Sequence, residues 1–265
     1  MYTYSEEHKK FLSKIKKEKI IVASFQIAIV LIFLIIWEAF ARLALINTFL
    51  SSSPSKVLNT TINLFKTGDL FSHIWVTVWE VLLSFFIATV IGFITAIVLW
   101  SNKIISKIVD PYLTILNSLP KVALGPLIII WVGASANSIV FMALLISVFI
   151  TIINIYNGFV STNKGYITLL KSFKATKTQI FFKAVLPSNI ITLINACKIN
   201  ISMSLIGVIM GELLVSKKGL GYLIMYGSQV FNLDLVITGI IILMIVSYLM
   251  YLLINYIEKI LIKTY

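Results

Sequence analysis

The chain has 265 residues, 59% of them hydrophobic and 12% charged, with a formal net charge of +12 and a mean hydropathy of +1.01. A soluble protein needs roughly 25% charged residues to cover its surface, so composition excludes a water-soluble domain and leaves room for about five to seven membrane helices of ~20 residues. One cysteine (Cys197) and two distant histidines (His8, His73) exclude a disulfide framework and a clustered metal site, and no G-x-x-x-x-G-K-[ST] string exists to hold a nucleotide.

The positive charge belongs at a membrane face and not on nucleic acid. Lysine outnumbers arginine 21 to 1, which reads as the codon bias of an AT-rich, bacterial type of genome.

Residues 1–19 are polar and carry six lysines, Lys9 to Lys19. The apolar run that follows, 20–46, is too long for a signal-peptide core of ~7–15 residues and has no small-residue cleavage site, so it reads as a retained helix. Further runs at 74–100, 108–132, 138–160, 190–215 and 235–257 bring the spans to six, in one membrane domain over 20–265. Pro111, Pro120 and Pro126 interrupt the third run, where each removes a backbone donor that must be compensated inside a membrane. That run is expected in two pieces, one at the interface and one spanning.

Lysines in the flanks set the direction. With both termini inside, the cytoplasmic side collects six lysines before Ile20, two at 103–107, five at 164–183 and two near the end. These fifteen face about five basic residues outside, among them Lys56, Lys66, Lys217 and Lys218. Both ends are therefore expected in the cytoplasm.

Residues 161–187 form the longest cytoplasmic loop, yet they are patterned as a helix. Leu169, Phe173, Ile180 and Ala184, joined by Leu170 and Phe181, make one apolar stripe at helical period. Lys171, Lys174 and Thr178 fall on the other side, and Pro187 is expected to end the element. Such a helix either lies on the inner leaflet or docks a cytoplasmic partner.

This segment, Leu169-Leu170-Lys171-Ser172-Phe173-Lys174-Ala175-Thr176 running on to Val185-Leu186-Pro187, resembles the cytoplasmic loop of bacterial ABC importer permeases. That family pattern reads E-A-A, three residues, G, nine residues, I, one residue, L-P. Leu119-Pro120-Lys121 through Gly125-Pro126 and Trp131-Val132-Gly133 is similar to the third-span signature of the nitrate/sulfonate/taurine-type permeases. Gly211-Glu212-Leu213-Leu214 with Gly219-Leu220-Gly221-Tyr222, and Ser53-Pro54-Ser55 with Gly68-Asp69-Leu70, match other stretches of the same subfamily in the right order, from about Trp37 to Val236.

The resemblance implies an all-α integral membrane protein of the type I importer permease class, with about six spans and a cytoplasmic coupling helix. It implies no enzyme activity in this chain, a homodimer paired with two copies of a separate ATPase that binds the ATP and magnesium, and an extracytoplasmic solute-binding protein. ATPase coupling would rest on Leu169, Leu170, Lys171, Phe173, Lys174, Ala175, Thr176 and Pro187. The solute would be a small anion such as a sulfonate, taurine or nitrate, or else a pyrimidine vitamin precursor. Two departures stand out: the E-A-A glutamate is absent and Lys174 replaces the turn glycine. A lysine adopts φ > 0 less cheaply, so the docking helix is expected to run on unbroken, or the partner's groove to be unusual.

Ionisable residues in spans are functional candidates by default. Glu38 and Arg42 are spaced to pair, Glu80 is expected to reach water or another helix, and Lys198 to snorkel to the cytoplasmic face. Gly207, Gly211 and Glu212 are candidates for a pathway or dimer face, since small residues permit close helix approach. An ion-driven secondary transporter remains the alternative. It would normally show paired halves and midplane carboxylates, whereas a membrane enzyme would need clustered catalytic residues that the chain lacks.

Overall fold

The computed structural model describes residues 6–264, with side chains from 11 to 260. Part of the basic segment 1–19, and the side chains of Lys9, Lys10 and Lys263, lie outside the described residues. Within them the chain is helical, with no strand.

Five helices are long and apolar enough to cross a membrane. They are α1 (Glu6–Arg42), α4 (Asp69–Ser101), α7 (Ala136–Ser161), α11 (Ile190–Val215) and α13 (Leu233–Thr264). The proline-interrupted run provides a bent pair, α5 (Lys103–Ser118) and α6 (Gly125–Val132), whose axes turn by 80° at a short 3₁₀ stretch. The break falls at Leu119–Pro120, while Pro111 is accommodated inside α5. Between α1 and α4 lie α2 (Thr48–Ser51) and α3 (Pro54–Thr67), and α12 (Leu220–Gln229) sits between the last two spans. The hydropathy pattern does not announce these shorter helices, because none is long or apolar enough to stand out.

Local chemistry sets the boundaries. Ser53 caps α3 by accepting from the Lys56 amide at 3.3 Å, with Pro54 pre-set for the first turn. Asn102 starts α5 by accepting from the amides of Ile104 and Ile105. The pair Glu38–Arg42 forms at 2.7 Å, and Glu38 also accepts from the Ser55 hydroxyl at 2.6 Å, which ties the end of α1 to α3.

The core is built around α7, which packs against α4 on one side and α11 on the other. Phe159, Met142, Ile139, Ile155, Val81 and Val208 are fully buried there. Buried hydroxyls return to their own helix, Ser147 to the Ala143 carbonyl and Thr151 to that of Ser147, which satisfies them without water. Asn200 of α11 crosses to α4, donating to the Phe85 carbonyl at 3.1 Å and to Thr89 at 2.7 Å.

Gly207 and Gly211 explain how α11 approaches α7 so closely. A Cβ on Gly207 would stand 2.4 Å from the Ala143 Cα, and one on Gly211 would stand 2.9 Å from the Ile139 Cα. Gly207→Ala is therefore expected to lower stability by about 1–3 kcal/mol through overpacking. Ile206→Ala, on the exposed side next to it, should change little. Thermal unfolding of the detergent-solubilised protein, followed by size-exclusion profile, compares the two.

Candidate functional site

The segment 161–188 folds as a short helical hairpin joining α7 to α11. Asn163 opens α8 (Lys164–Ser172) by accepting from the Gly165 amide at 2.8 Å. The chain then breaks, and Thr176 opens α9 (Lys177–Ile180) through a reciprocal capping box with Gln179. A π-helical turn over Phe181–Val185 leads into α10 (Leu186–Ser188).

The break corrects two expectations. Residues 169–184 do not form one helix, and Lys174 does not let the helix run on. Lys174 adopts the left-handed conformation with φ of 57°, the role a glycine would fill. Its amide donates to the Lys171 carbonyl at 2.9 Å, and the Ala175 amide reaches back to the Leu170 carbonyl at 3.0 Å. These two bonds are the paired helix-ending pattern of a Schellman motif, and Leu170 and Ala175 share its hydrophobic contact by packing on the same core cluster.

The stripe consequently divides into two faces. Ile180, Phe181, Ala184 and Val185 are buried in the core, where Phe181 meets Trp100 of α4 and Phe159 of α7, each at a ring-centroid distance of 5.3 Å. Leu169 (56% exposed) and Phe173 (75%) point away from the chain, joined one turn earlier by Tyr166 at 56%. The sequence reading missed Tyr166, although its spacing of three and seven to the other two was a visible signal. Lys171 and Lys174 edge this apolar face and are exposed.

Pro187 does not end the element either. It sits in the first turn of α10, and the chain bends two residues later at Asn189. The Asn189 side chain donates to the Thr162 hydroxyl at 2.7 Å and to the Val185 carbonyl at 2.8 Å, closing the base of the hairpin. Lys177 adds a bond to the Ser101 carbonyl at the end of α4 (3.3 Å).

A second polar cluster lies at the opposite end of α11. Three consecutive amides at the start of α12 each find an acceptor on a span: Gly219 on His73 Nδ1 (3.0 Å), Leu220 on Thr77 Oγ1 (2.8 Å) and Gly221 on Glu212 Oε2 (2.6 Å). Thr77 in turn donates to Glu212 Oε1 at 2.7 Å. Only glycine fits at 219, where φ is 115° and a Cβ would stand 2.3 Å from the Glu212 carboxyl. Glu80 is buried (4% exposed) on the same side of α4, and its Oε2 meets no donor among the described residues.

Gly207, Gly211 and Glu212, the candidates for a pathway or dimer face, are packed within this chain. The two glycines are spent on packing against α7, and Glu212 is 1% exposed, with Oε2 on the Gly221 amide of α12 and Oε1 on the Thr77 hydroxyl of α4. Lys198, expected to snorkel toward the cytoplasmic face, bonds Glu258 of α13 at 2.7 Å. Among the described residues no group of three or more His, Cys, Asp or Glu could hold a metal ion.

The chain is thus an all-helical membrane protein with a hairpin that turns an apolar face outward at its lysine-rich end. The profile of the family described as "Binding-protein-dependent transport system inner membrane component" matches residues 88–263. The formylaminopyrimidine transport permease protein of Halalkalibacterium halodurans is 30% identical over 192 residues, covering 72% of this chain and 76% of that one. A putative aliphatic sulfonates transport permease protein of Bacillus subtilis is 25% identical over 212 residues, covering 80% and 77%. In structure, a chain of the inward-facing MetNI methionine ABC transporter superposes with a TM-score of 0.63 at 21% identity, covering 73% of this chain and 96% of that one. The chain belongs to the binding-protein-dependent ABC importer permease family, with a type I importer permease fold.

A non-glycine residue held in the left-handed region costs roughly 1–2 kcal/mol. Lys174→Gly is thus expected to stabilise the hairpin by about 1 kcal/mol, and Lys174→Val to destabilise it. Amide hydrogen exchange across Leu170–Ala175 should slow in the first variant and quicken in the second.

Proposed function

We propose that the hairpin 164–188 is the coupling element of an ATP-driven importer, received in a groove of a separate cytoplasmic ATPase. The observation that carries this reading is the exposed stripe of Tyr166, Leu169 and Phe173 on an element whose other side is locked into the bundle through Phe181. An exposed apolar face on a rigid lever is what a partner groove recognises. Leu170, Ala175 and Thr176 shape the turn, Lys171 and Lys174 flank it, and Pro187 lies in the return to α11.

In this reading two copies of the chain form the pathway and two copies of the ATPase bind ATP and magnesium. An extracytoplasmic binding protein delivers the solute. Closure of the ATPase pair moves the hairpins, and the helical bundles alternate between inward- and outward-facing states as rigid bodies. The lysine distribution supports a cytoplasmic location for the hairpin and both termini. The solute we favour is a small oxyanion of the sulfonate, taurine or nitrate kind, supported by similarity to the sulfonate permease. A pyrimidine precursor is a second reading, favoured by the 30% identity to the formylaminopyrimidine permease.

Phe173→Asp should leave a folded, membrane-inserted chain that no longer retains its ATPase in a detergent pull-down. Undiminished retention would remove the hairpin from the interface. Orientation has its own check: a Lys171→Cys variant in a Cys197→Ser background should resist an impermeant thiol reagent in intact cells and react in inside-out vesicles. Labelling in intact cells would invert the topology.

A further inference from the structure

We infer that Glu80 and Glu212 bind one proton between them, and that this proton fastens α11 and α12 to α4 at the end of the bundle opposite the hairpin. Glu80 is 4% exposed and Glu212 1%. At about 1.5 Å per residue, Glu80 lies roughly 16 Å along α4 from its start at Asp69. The two side chains come within hydrogen-bond reach of each other, one from α4 and one from α11. Two carboxylates have no donor to offer one another, so this contact is a hydrogen bond only when one of them carries a proton.

The donors nearby are already committed. Glu212 takes the Thr77 hydroxyl at 2.7 Å and the Gly221 amide at 2.6 Å, and among the described residues no donor reaches Glu80 Oε2. Neither acid has a cationic partner there, since the ion pairs of the described residues are Glu38–Arg42 and Lys198–Glu258. His73 is not a hidden cation. Its Nδ1 accepts from the Gly219 amide at 3.0 Å, so that nitrogen bears no proton and the ring is neutral. Tyr222 stacks on His73 at 5.8 Å, Asp69 and Lys218 flank the ring from exposed positions, and Lys56 and Lys66 of α3 are exposed. Neither α7 nor α12 carries an acid, a lysine, an arginine or a histidine.

A bare carboxylate buried in a span is costly, and one proton removes its charge and supplies the missing donor together. With two donors already on it, Glu212 is the acceptor and Glu80 the acid. The bond completes a knot of Glu80 and Thr77 on α4, Glu212 on α11 and the Gly221 amide of α12. The native pair holds a proton that an exposed glutamate of the unfolded chain, with a pKa of about 4.3, has released at neutral pH. Its stabilisation is therefore full in acid and is lost as the pH rises and the pair lets the proton go.

The test uses the full chain in lipid nanodiscs beside Glu80→Gln, whose amide can donate to Glu212 without a proton. Near neutral pH, infrared difference spectra should show the carbonyl stretch of a protonated carboxyl in the wild type alone. From about pH 5 to pH 9 the wild type should lose at least about 3 °C more in thermal midpoint than Glu80→Gln, and the band should vanish over the same interval. Wild type isotopically labelled at the glutamate carboxyls identifies the band by its shift, so the result does not depend on the variant folding. Absence of the band would mean that both acids are ionised, and it overturns the inference, as does equal pH dependence in the two proteins. A thermal midpoint that follows sodium or calcium concentration at constant pH, without the band, overturns it in favour of a bound metal cation.

Discussion

A polar group left unpaired in hydrocarbon costs several kcal/mol, and the places where this chain interrupts its helices are the places where that cost is met by specific partners. The break between α11 and α12 frees three consecutive amides, and each is received by a side chain that would otherwise be out of place in a span. His73, Thr77 and Glu212 together replace the hydrogen bonds that a continuous helix would have made. Glu212 is tolerated there because a carboxylate facing a helix N-terminus meets both donors and a favourable dipole. The acid and the helix break stabilise each other.

The same logic shapes the other end of α11. The hairpin 164–188 leaves and re-enters the bundle between Thr162 and Asn189, and the Asn189 side chain bonds both that entry point and the π-helical turn. Next to this staple, the tilted and edge-to-face ring contacts of Phe181 with Trp100 and Phe159 join the hairpin to both α4 and α7. Packed interiors transmit displacement with little slack. In the proposed coupling, a force applied at Phe173 would reach two spans through a few side-chain contacts.

Much of this was legible in the residues. Apolar runs marked the spans, the three prolines marked the bent one, and the i,i+4 spacing of Glu38 and Arg42 marked their ion pair. What periodicity could not register was the turn at Lys174. A stripe counted at 3.6 residues per turn looks continuous across a break that inserts a left-handed residue, and a lysine there gives no warning. The hydrogen bonds to Leu170 and Lys171 and the shared packing of Leu170 and Ala175 impose the turn regardless. The partners of Glu212 were hidden for another reason: Thr77 lies 135 residues away, and one sequence carries no trace of which distant span will receive a buried acid.

Gly207 and Gly211 show how one physical signal can answer to more than one surface. Small residues on a span do mean close approach, but an intrachain neighbour and a second copy leave the same mark in the sequence. Here α7 takes that face, with Ala143 and Ile139 against the glycines. A helix has a limited circumference, so once its small-residue side is committed to α7, the polar residues on another side must answer to something else. On α11 that side presents Ser202 toward α13, where its hydroxyl returns to the Lys198 carbonyl of its own helix.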